Sequence, residues 1–202
     1  MKKIIFTALV LFVVSCTNNT MQETVAQQER SIHVYSYEGF STQDASYLVG
    51  ELNKVYPSVV AEGEVLRLPS ECYLKAMNRY RAQGLLDDLK LHQNGGAVLG
   101  LTDRVIFHPN EISPTYGIYG LSYTGGYVSV LSSTKPSSGK KHNRDHMKKL
   151  MLHELGHAFG LSHCKNQHCI MVDAEHRNKF SQTPSFCDNC KDTLNKKGWN
   201  IR

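Results

Sequence analysis

Hydrophobic and polar residues follow two different periods along most of the chain. Alternating β-branched and aromatic residues at 32–37 predict a short strand. Apolar residues then recur every three or four positions through 41–56, where Pro57 stops the pattern, so this segment predicts an amphipathic helix. The segment 59–68 is typical of extended chain, and leucines at helical spacing predict a short helix at 84–92.

The second half of the chain predicts further strands and one longer helix. A Gly-Gly pair precedes the largely apolar run 97–106, which predicts a strand, and a second pair separates 116–123 from 127–132, which predict a hairpin. The polar loop 133–141 leads into a helix with an apolar face. No internal repeat or second domain boundary interrupts 31–202, so we expect one domain.

The N-terminal segment has the character of an export signal. A basic start, an eleven-residue apolar run at 4–14 and the small Ser15 predict a signal peptide, because so short a run covers only about half of a bilayer core. The junction ending in Ser15-Cys16 resembles a bacterial lipobox, which implies that residues 1–15 are removed and that Cys16 carries lipid. An ordinary secretory signal with a chance cysteine is the alternative.

The predicted destination depends on that lipobox. Residues 16–30 are polar without an apolar period, so they predict a lipid-anchored linker with no fold of its own. We therefore expect the protein in a bacterial cell envelope, attached to a membrane by its lipid and facing the periplasm or the cell surface. The sequence does not choose between the inner and the outer membrane.

Composition excludes several broad classes of protein. The chain has 202 residues, of which 41% are hydrophobic and 20% charged, unlike a disordered chain, a coiled coil or a multi-span membrane protein. The formal charge of +5 falls to about +3 without Lys2 and Lys3, which is too weak to predict a nucleic-acid partner. Ten histidines and six cysteines are the unusual counts.

Two histidines lie one helical turn apart in His153-Glu154-Leu155-Gly156-His157. At about 100° per residue their imidazoles share one helix face, with apolar side chains on the opposite face. Zinc in hydrolytic sites takes three protein ligands, so a third is required. Gly160 can end the helix with positive φ, which would allow His163 to reach the same metal.

Two neighbours of these histidines invite weaker predictions. His146 shares their helix face but lies about 10 Å along the axis from His153, too far to join the metal, so it is predicted to be solvated or to line a cleft. Asp173 is a candidate hydrogen-bond partner for a ligand imidazole.

Four cysteines have the spacing of a second metal site. Cys164-x4-Cys169 and Cys187-x2-Cys190 form two short chelating loops, as in all-thiolate zinc sites. Disulfide bonding is the alternative, because an exported chain enters an oxidising compartment. Cys72 is left over and is predicted to be a buried thiol.

The extended motif His-Glu-x-x-His-x-x-Gly-x-x-His resembles the metzincin metallopeptidases. The residues after it, a cysteine directly after the third histidine, a second cysteine, Met171 and a final pair of cysteines, are similar to those of the archaemetzincins, in which four cysteines hold a second zinc. The resemblance implies a peptide or protein substrate, two zinc ions per chain and a tendency toward aminopeptidase-like specificity. It also implies that peptide binds along a sheet edge, for which 116–123 or 127–132 is available.

The resemblance assigns roles to individual residues. His153, His157 and His163 would bind the catalytic zinc, and Glu154 would be the general base. Met171 would be the turn methionine beneath the imidazoles. The structural zinc would be held by the four cysteines already described: Cys164, Cys169, Cys187 and Cys190.

These inferences predict an α+β zincin-like fold: one domain with a twisted mixed sheet, an active-site helix and a C-terminal four-cysteine zinc subdomain. The predicted function is zinc-dependent peptide hydrolysis. A non-catalytic, zinc-stabilised peptide-binding module is the alternative, although such a module needs no acid at Glu154. Nothing in the sequence indicates the oligomeric state.

Overall fold

The computed structural model describes residues 31–58, 60–173 and 185–202. The predicted signal peptide, the linker and Cys16 lie outside the described residues. Among the helices that are described, none combines the length and the apolar character needed to cross a membrane.

Strands and helices alternate through the described part of the chain. The strands are β1 (Ile32–Tyr37), β2 (Val60–Leu66), β3 (Tyr73–Leu74), β4 (Arg79–Arg81), β5 (Ala97–Thr102), β6 (Ile106–Phe107), β7 (Gly117–Ile118), β8 (Gly120–Tyr123) and β9 (Val128–Ser132). The α-helices are α1 (Thr42–Asn53), α2 (Ala82–Leu91), α3 (Arg144–Ala158) and α4 (Asp188–Asn195). The α+β, single-domain prediction is confirmed.

A five-stranded mixed sheet in the order β2-β1-β5-β9-β8 forms the centre of the molecule. Its first four strands are parallel, and β8 runs antiparallel to β9 at one edge. The central strands β5 and β9 are buried throughout, because helices cover both faces. Leu99 and Leu101 pack in one core with residues of α1 and α3, whereas Val98 packs in the other with residues of α2.

Helix α3 carries the histidines and is fixed at both ends. The Asn143 side chain accepts a hydrogen bond from the backbone N–H of His146 at 2.8 Å, which caps the N-terminus. At the C-terminus Gly160 has φ +93°, as the motif predicted, and its N–H donates to the carbonyl of His157 at 2.8 Å. The Lys197 ammonium donates to the Phe159 carbonyl at 2.5 Å, so the C-terminal segment also holds this end.

A second sheet, in the order β3-β4-β6-β7, was not predicted. The predicted strand at 97–106 is wrong in its second half: β5 ends at Thr102, a turn comes next, and Ile106 begins β6 in the second sheet. The hydroxyl of Thr102 accepts the backbone N–H of Arg104 at 3.1 Å and so supports the turn. Strands of two or three residues are too short to show a period of two.

Candidate metal centre and active site

The three predicted histidine ligands come together at the end of α3. Potential ligand atoms of His153, His157 and His163 lie within 4.8 Å of one another. The Nε2 atoms of His153 and His157 are 3.1 Å apart, close to the roughly 3.3 Å between nitrogens that share one tetrahedral zinc. Helix geometry supplies the first pair, and the turn at Gly160 returns the chain so that His163 completes the cluster.

Each imidazole meets an oxygen at its other nitrogen. The Nδ1 atom of His153 lies 2.8 Å from the Ile170 carbonyl, and that of His157 lies 2.7 Å from the Leu161 carbonyl. A carbonyl only accepts, so both Nδ1 atoms carry the proton and both Nε2 atoms present lone pairs. Two lone pairs that face each other at 3.1 Å are stabilised by a shared cation, so this donor set fits zinc.

The third imidazole is more exposed and has a charged partner. Asp173 Oδ2 lies 3.5 Å from His163 Nδ1, which is an ion-pair distance and longer than the typical hydrogen bond that was predicted for Asp173. Burial lowers the pKa of His153 to about 3, and burial also lowers the pKa of His157. Those two rings are therefore neutral at physiological pH, which is the form that binds a metal.

Glu154 lies beside the cluster and is buried, with 5% of its surface exposed. The Ser122 hydroxyl donates to its Oε2 at 2.6 Å, and the Ser129 hydroxyl donates to its backbone carbonyl at 3.1 Å. Burial raises the pKa of the Glu154 carboxyl to about 7, while the bond from Ser122 acts in the opposite direction. A Cβ on Gly120 would come 2.5 Å from Oε1, so only glycine lets β8 approach this carboxylate so closely.

Met171 packs against the helix that carries the histidines. It is fully buried, and a Cβ added to Gly156 would meet its sulfur at 2.5 Å. Gly156 lies between His153 and His157 in the chain, so the methionine packs against the helical turn that carries these two histidines.

The four predicted cysteine ligands also converge. Their sulfurs lie within 4.8 Å of one another, and those of Cys164 and Cys187 are 3.7 Å apart. Sulfurs around one tetrahedral zinc lie roughly 3.8 Å apart, whereas a disulfide requires about 2.05 Å. Burial raises the pKa of the Cys169 thiol, while the backbone N–H groups of Met171 and Cys187, which point at its sulfur at 3.4 and 3.3 Å, act in the opposite direction. This cluster fits a second zinc better than two disulfides.

Sequence reasoning missed the residues that β8 brings to the site. Ser122 and Gly120 contact Glu154 from a strand 32 and 34 positions earlier in the chain, and no motif links them to it. Only the small side chains along β8 hint that another element approaches there. Gly120, Leu121 and Ser122 also line a cleft of about 1170 Å³, together with His153 and Glu154.

His146 neither lines this cleft nor is solvated, so both predictions for it were wrong. Its ring stacks on His142 with centroids 3.9 Å apart, and Tyr119 packs against both rings. Both histidines are buried, and this burial lowers their pKa values, to about 3 for His142 and about 4 for His146. Tyr119 therefore separates the pair from the cleft that it lines itself.

Comparisons with known proteins agree with this geometry. The model of peptidase family M54 matches residues 51–196. The archaemetzincin of Haloarcula marismortui is 29% identical over 151 residues, covering 69% of this chain and 85% of that protein. The archaemetzincin of Methanopyrus kandleri is 30% identical over 132 residues, covering 64% and 74%.

Solved structures show the same fold. The crystal structure of the Methanopyrus kandleri archaemetzincin matches with a TM-score of 0.65 at 24% identity, covering 82% of this chain and 93% of that one. The archaemetzincin of Archaeoglobus fulgidus matches with a TM-score of 0.67 at 23% identity, covering 81% and 99%. The predicted resemblance is confirmed, and the chain belongs to peptidase family M54 and is a zinc metallopeptidase.

Proposed function

We propose that this peptidase uses Glu154 as its general base and His153, His157 and His163 as the ligands of its catalytic zinc. The observation that carries the proposal is the buried Glu154 carboxylate beside three imidazoles oriented for one cation. A buried carboxylate is costly unless a charge or a function compensates it, and this one borders an open cleft. Membership of a peptidase family favours an enzyme over the alternative, a non-catalytic peptide-binding module.

The site supports a metal-assisted hydrolysis. Zinc held by the three imidazoles would supply a Lewis acid that polarises the scissile carbonyl and lowers the pKa of water. Glu154 accepts a proton from the attacking water on the carboxylate oxygen that Ser122 does not hold, and later transfers it to the leaving amine nitrogen. The Ser122 hydroxyl keeps the carboxylate in one orientation throughout. Met171 supplies an apolar support beneath the ligand helix.

The open edge of β8 is our proposed peptide-binding strand. Of the two predicted candidates, β8 is the edge strand, since β9 is enclosed between β5 and β8. An extended peptide can add to such an edge through backbone hydrogen bonds. Peptide paired there would lie across the cleft, beside Glu154.

Replacement of Glu154 by glutamine tests the general base. The Glu154→Gln protein keeps the shape and the zinc ligands but has no basic oxygen, so peptide turnover falls by at least about a hundredfold. The matched control is Glu62→Gln, at an exposed position of the far edge strand β2. Equal turnover by the wild type and the Glu154→Gln protein would exclude this role, provided that both contain equal zinc.

We also propose a second, structural zinc at the four cysteines, and removal of N-terminal residues as the preferred reaction. The first is supported by the sulfur geometry, and the second by the resemblance to archaemetzincins. Turnover of matched peptides with free and acetylated N-termini tests the second: a preference for the free amine supports it, and equal turnover contradicts it.

The envelope location stays a proposal that rests on the lipobox-like junction at Cys16. A labelled fatty acid should be incorporated by the full chain in a bacterial host and not by the Cys16→Ser variant. Equal labelling of the two proteins would contradict lipid attachment at this residue.

A further inference from the structure

Arg79 is a charged residue in the cleft that the hydrolytic mechanism does not use. It begins β4 in the small sheet, is half-buried, and lines the same cleft as His153 and Glu154. Its Nη1 atom donates to the Thr115 carbonyl at 2.9 Å, which fixes the side chain. A guanidinium has five N–H donors, so this one bond leaves donors available to a ligand.

Arg79 has no acidic partner within the part of the chain that the structure describes. Each described ion pair joins other residues. Of the two acids in the cleft besides Glu154, Asp173 lies beside His163 and Glu111 is exposed. Arg79 is also the one lysine or arginine among the described cleft residues. A partly desolvated guanidinium in this position is suited to a carboxylate that arrives with the substrate.

The positions of Gly117 and Gly120 limit the distance between Arg79 and Glu154. A Cβ on Gly117 would lie 3.4 Å from Arg79 Nη1, and a Cβ on Gly120 would lie 2.5 Å from Glu154 Oε1. The two glycines are three positions apart, with a bend at Tyr119 between β7 and β8, so their Cα atoms are separated by at most about 10 Å. In a bound, extended peptide, side chains on the same face are two residues apart, a distance of about 7 Å along the strand. A span of up to about 10 Å corresponds to as many as three residues of extended peptide, which puts Arg79 within reach of a group two or three substrate residues from the bond that Glu154 serves.

The direction of β8 indicates which side of the scissile bond lies near Arg79. We take the peptide to add antiparallel to β8, because antiparallel pairing is slightly more stable per residue than parallel pairing, so it runs opposite to the chain from Gly120 to Tyr123. Its C-terminal residues then extend past Gly120 toward Gly117 and Arg79. The region beside Arg79 would thus receive the substrate residues on the C-terminal side of the scissile bond.

We propose that Arg79 binds a carboxylate of the peptide substrate two or three residues to the C-terminal side of the scissile bond. This carboxylate belongs either to an Asp or Glu side chain or to the C-terminus of a short peptide. The inference rests on the proposed peptidase function, which it extends to a substrate class: acidic peptides, or short peptides with a free C-terminus. Arg79 is then a specificity-determining residue.

The test uses peptides that differ only in this one group. One series carries Glu, Gln or Lys at the second or third position after the cleaved bond, with an amidated C-terminus. The other series carries Gln there and ends at that position in a free carboxylate or an amide. The two series distinguish a side-chain carboxylate from a terminal one.

Variants of Arg79 test whether this residue causes the preference for peptides with a carboxylate. The wild type should favour carboxylate over amide roughly tenfold in kcat/KM, mainly through KM, because the guanidinium binds the ground state as well as the transition state. Arg79→Ala should remove this preference, and Arg79→Glu should reverse it in favour of Lys. Arg81→Ala is the matched control, because Arg81 is exposed and lies outside the cleft, and it should keep the wild-type preference.

Binding without turnover separates this inference from the proposed function. Calorimetric titration of the zinc-loaded Glu154→Gln protein with the same peptides measures the carboxylate preference directly, and adding Arg79→Ala should remove it. Should the wild type cleave none of the peptides, the proposed function fails for them while this titration still tests Arg79. Equal binding of carboxylate and amide peptides, or a preference that survives in folded Arg79→Ala, would overturn the inference.

Discussion

At the scale of single residues, each ligand imidazole is oriented by an oxygen on its far side. His153 and His157 use backbone carbonyls that the fold itself fixes, whereas His163 uses the carboxylate of Asp173. Partners of this kind hold a ligand ring in position and raise its basicity. The exposed His163 depends most on its partner, since fewer neighbours restrain it.

Removal of the Asp173 carboxylate should weaken zinc binding at the histidine site. We expect Asp173→Ala to lower the affinity about 10-fold to 100-fold, because His163 loses the group that orients it. Competition with a chromogenic chelator measures this, with Asp192→Ala, an exposed acid of α4, as the control. Equal affinity in the wild type and Asp173→Ala would show that the 3.5 Å contact is incidental.

The Ser122 hydroxyl should influence turnover through Glu154. Ser122→Ala removes the 2.6 Å bond to the carboxylate, so we expect kcat to fall about tenfold while the zinc content is unchanged. The comparison variant is Ser129→Ala, because both hydroxyls lie within hydrogen-bond distance of the Glu154 backbone carbonyl and only that of Ser122 also reaches the carboxylate. A larger loss of kcat in Ser129→Ala than in Ser122→Ala would contradict the positioning role.

At the scale of elements, two glycines allow other parts of the chain to pack closely against α3, one in the neighbouring strand and one in the helix itself. Gly120 admits the Glu154 carboxylate beside β8, and Gly156 admits the Met171 sulfur beneath the helix. Glycine is unfavourable inside a helix by about 1 kcal/mol relative to alanine, so its presence at 156 has a packing reason.

A pair of glycine substitutions separates this packing from helix propensity. Gly156→Ala places a Cβ 2.5 Å from the Met171 sulfur and should lower the free energy of unfolding by about 1–3 kcal/mol. Gly50→Ala, in α1 with nothing within 4 Å of the added carbon, should instead raise it by up to about 1 kcal/mol. Denaturant unfolding of the zinc-loaded proteins measures both changes. An increase in the free energy of unfolding in both variants would refute the packing argument.

Periodicity predicted the elements that are long enough to repeat it. The helix predicted at 41–56 is Thr42–Asn53 with Ser41 as its N-cap, and the predicted hairpin is the pair β8–β9, although its first predicted arm, 116–123, divides into β7 of the small sheet and β8. The small sheet could not be predicted, because its strands have only two or three residues each and are too short to show a period of two. The strand predicted at 97–106 extended too far because the chain is apolar on both sides of the charged pair Asp103-Arg104, where it leaves the first sheet for the second.

At the scale of the whole molecule, one short segment connects the two metal-binding clusters. Cys169 belongs to the cysteine cluster, the carbonyl of Ile170 holds His153, and Met171 lies under the ligand helix. The carbonyl of Met171 accepts the N–H of Cys164 at 2.7 Å, which closes the loop. A metal at the cysteines would therefore also fix the frame of the histidine site.

Loss of one cysteine ligand should affect both sites. Cys190→Ser should reduce bound zinc by one ion per chain, lower the free energy of unfolding by at least ~2 kcal/mol and weaken zinc binding at the histidines. Cys72→Ser is the control, since Cys72 is buried away from both clusters and its loss should leave the zinc content unchanged. Full zinc content in Cys190→Ser, or a disulfide among the four cysteines, would contradict the proposal.

Spacing predicted which candidate ligands converge, but not the residues around them. The histidines, Glu154 and the cysteines are close in sequence, so helix and loop geometry sufficed to bring them together. Ser122, Gly120 and Arg79 come from strands whose positions depend on the pairing of two sheets. Strand pairing within each sheet depends on contacts between residues far apart in the sequence, and a local sequence pattern does not reveal those contacts.

The central claim is that three imidazoles hold one zinc beside Glu154, and an anomalous difference map at the zinc edge tests it most directly. Crystals of the zinc-loaded protein should show a peak about 2.0–2.1 Å from the Nε2 atoms of His153, His157 and His163. A zinc-saturated crystal without a peak there, or with the three rings directed apart, would contradict the account.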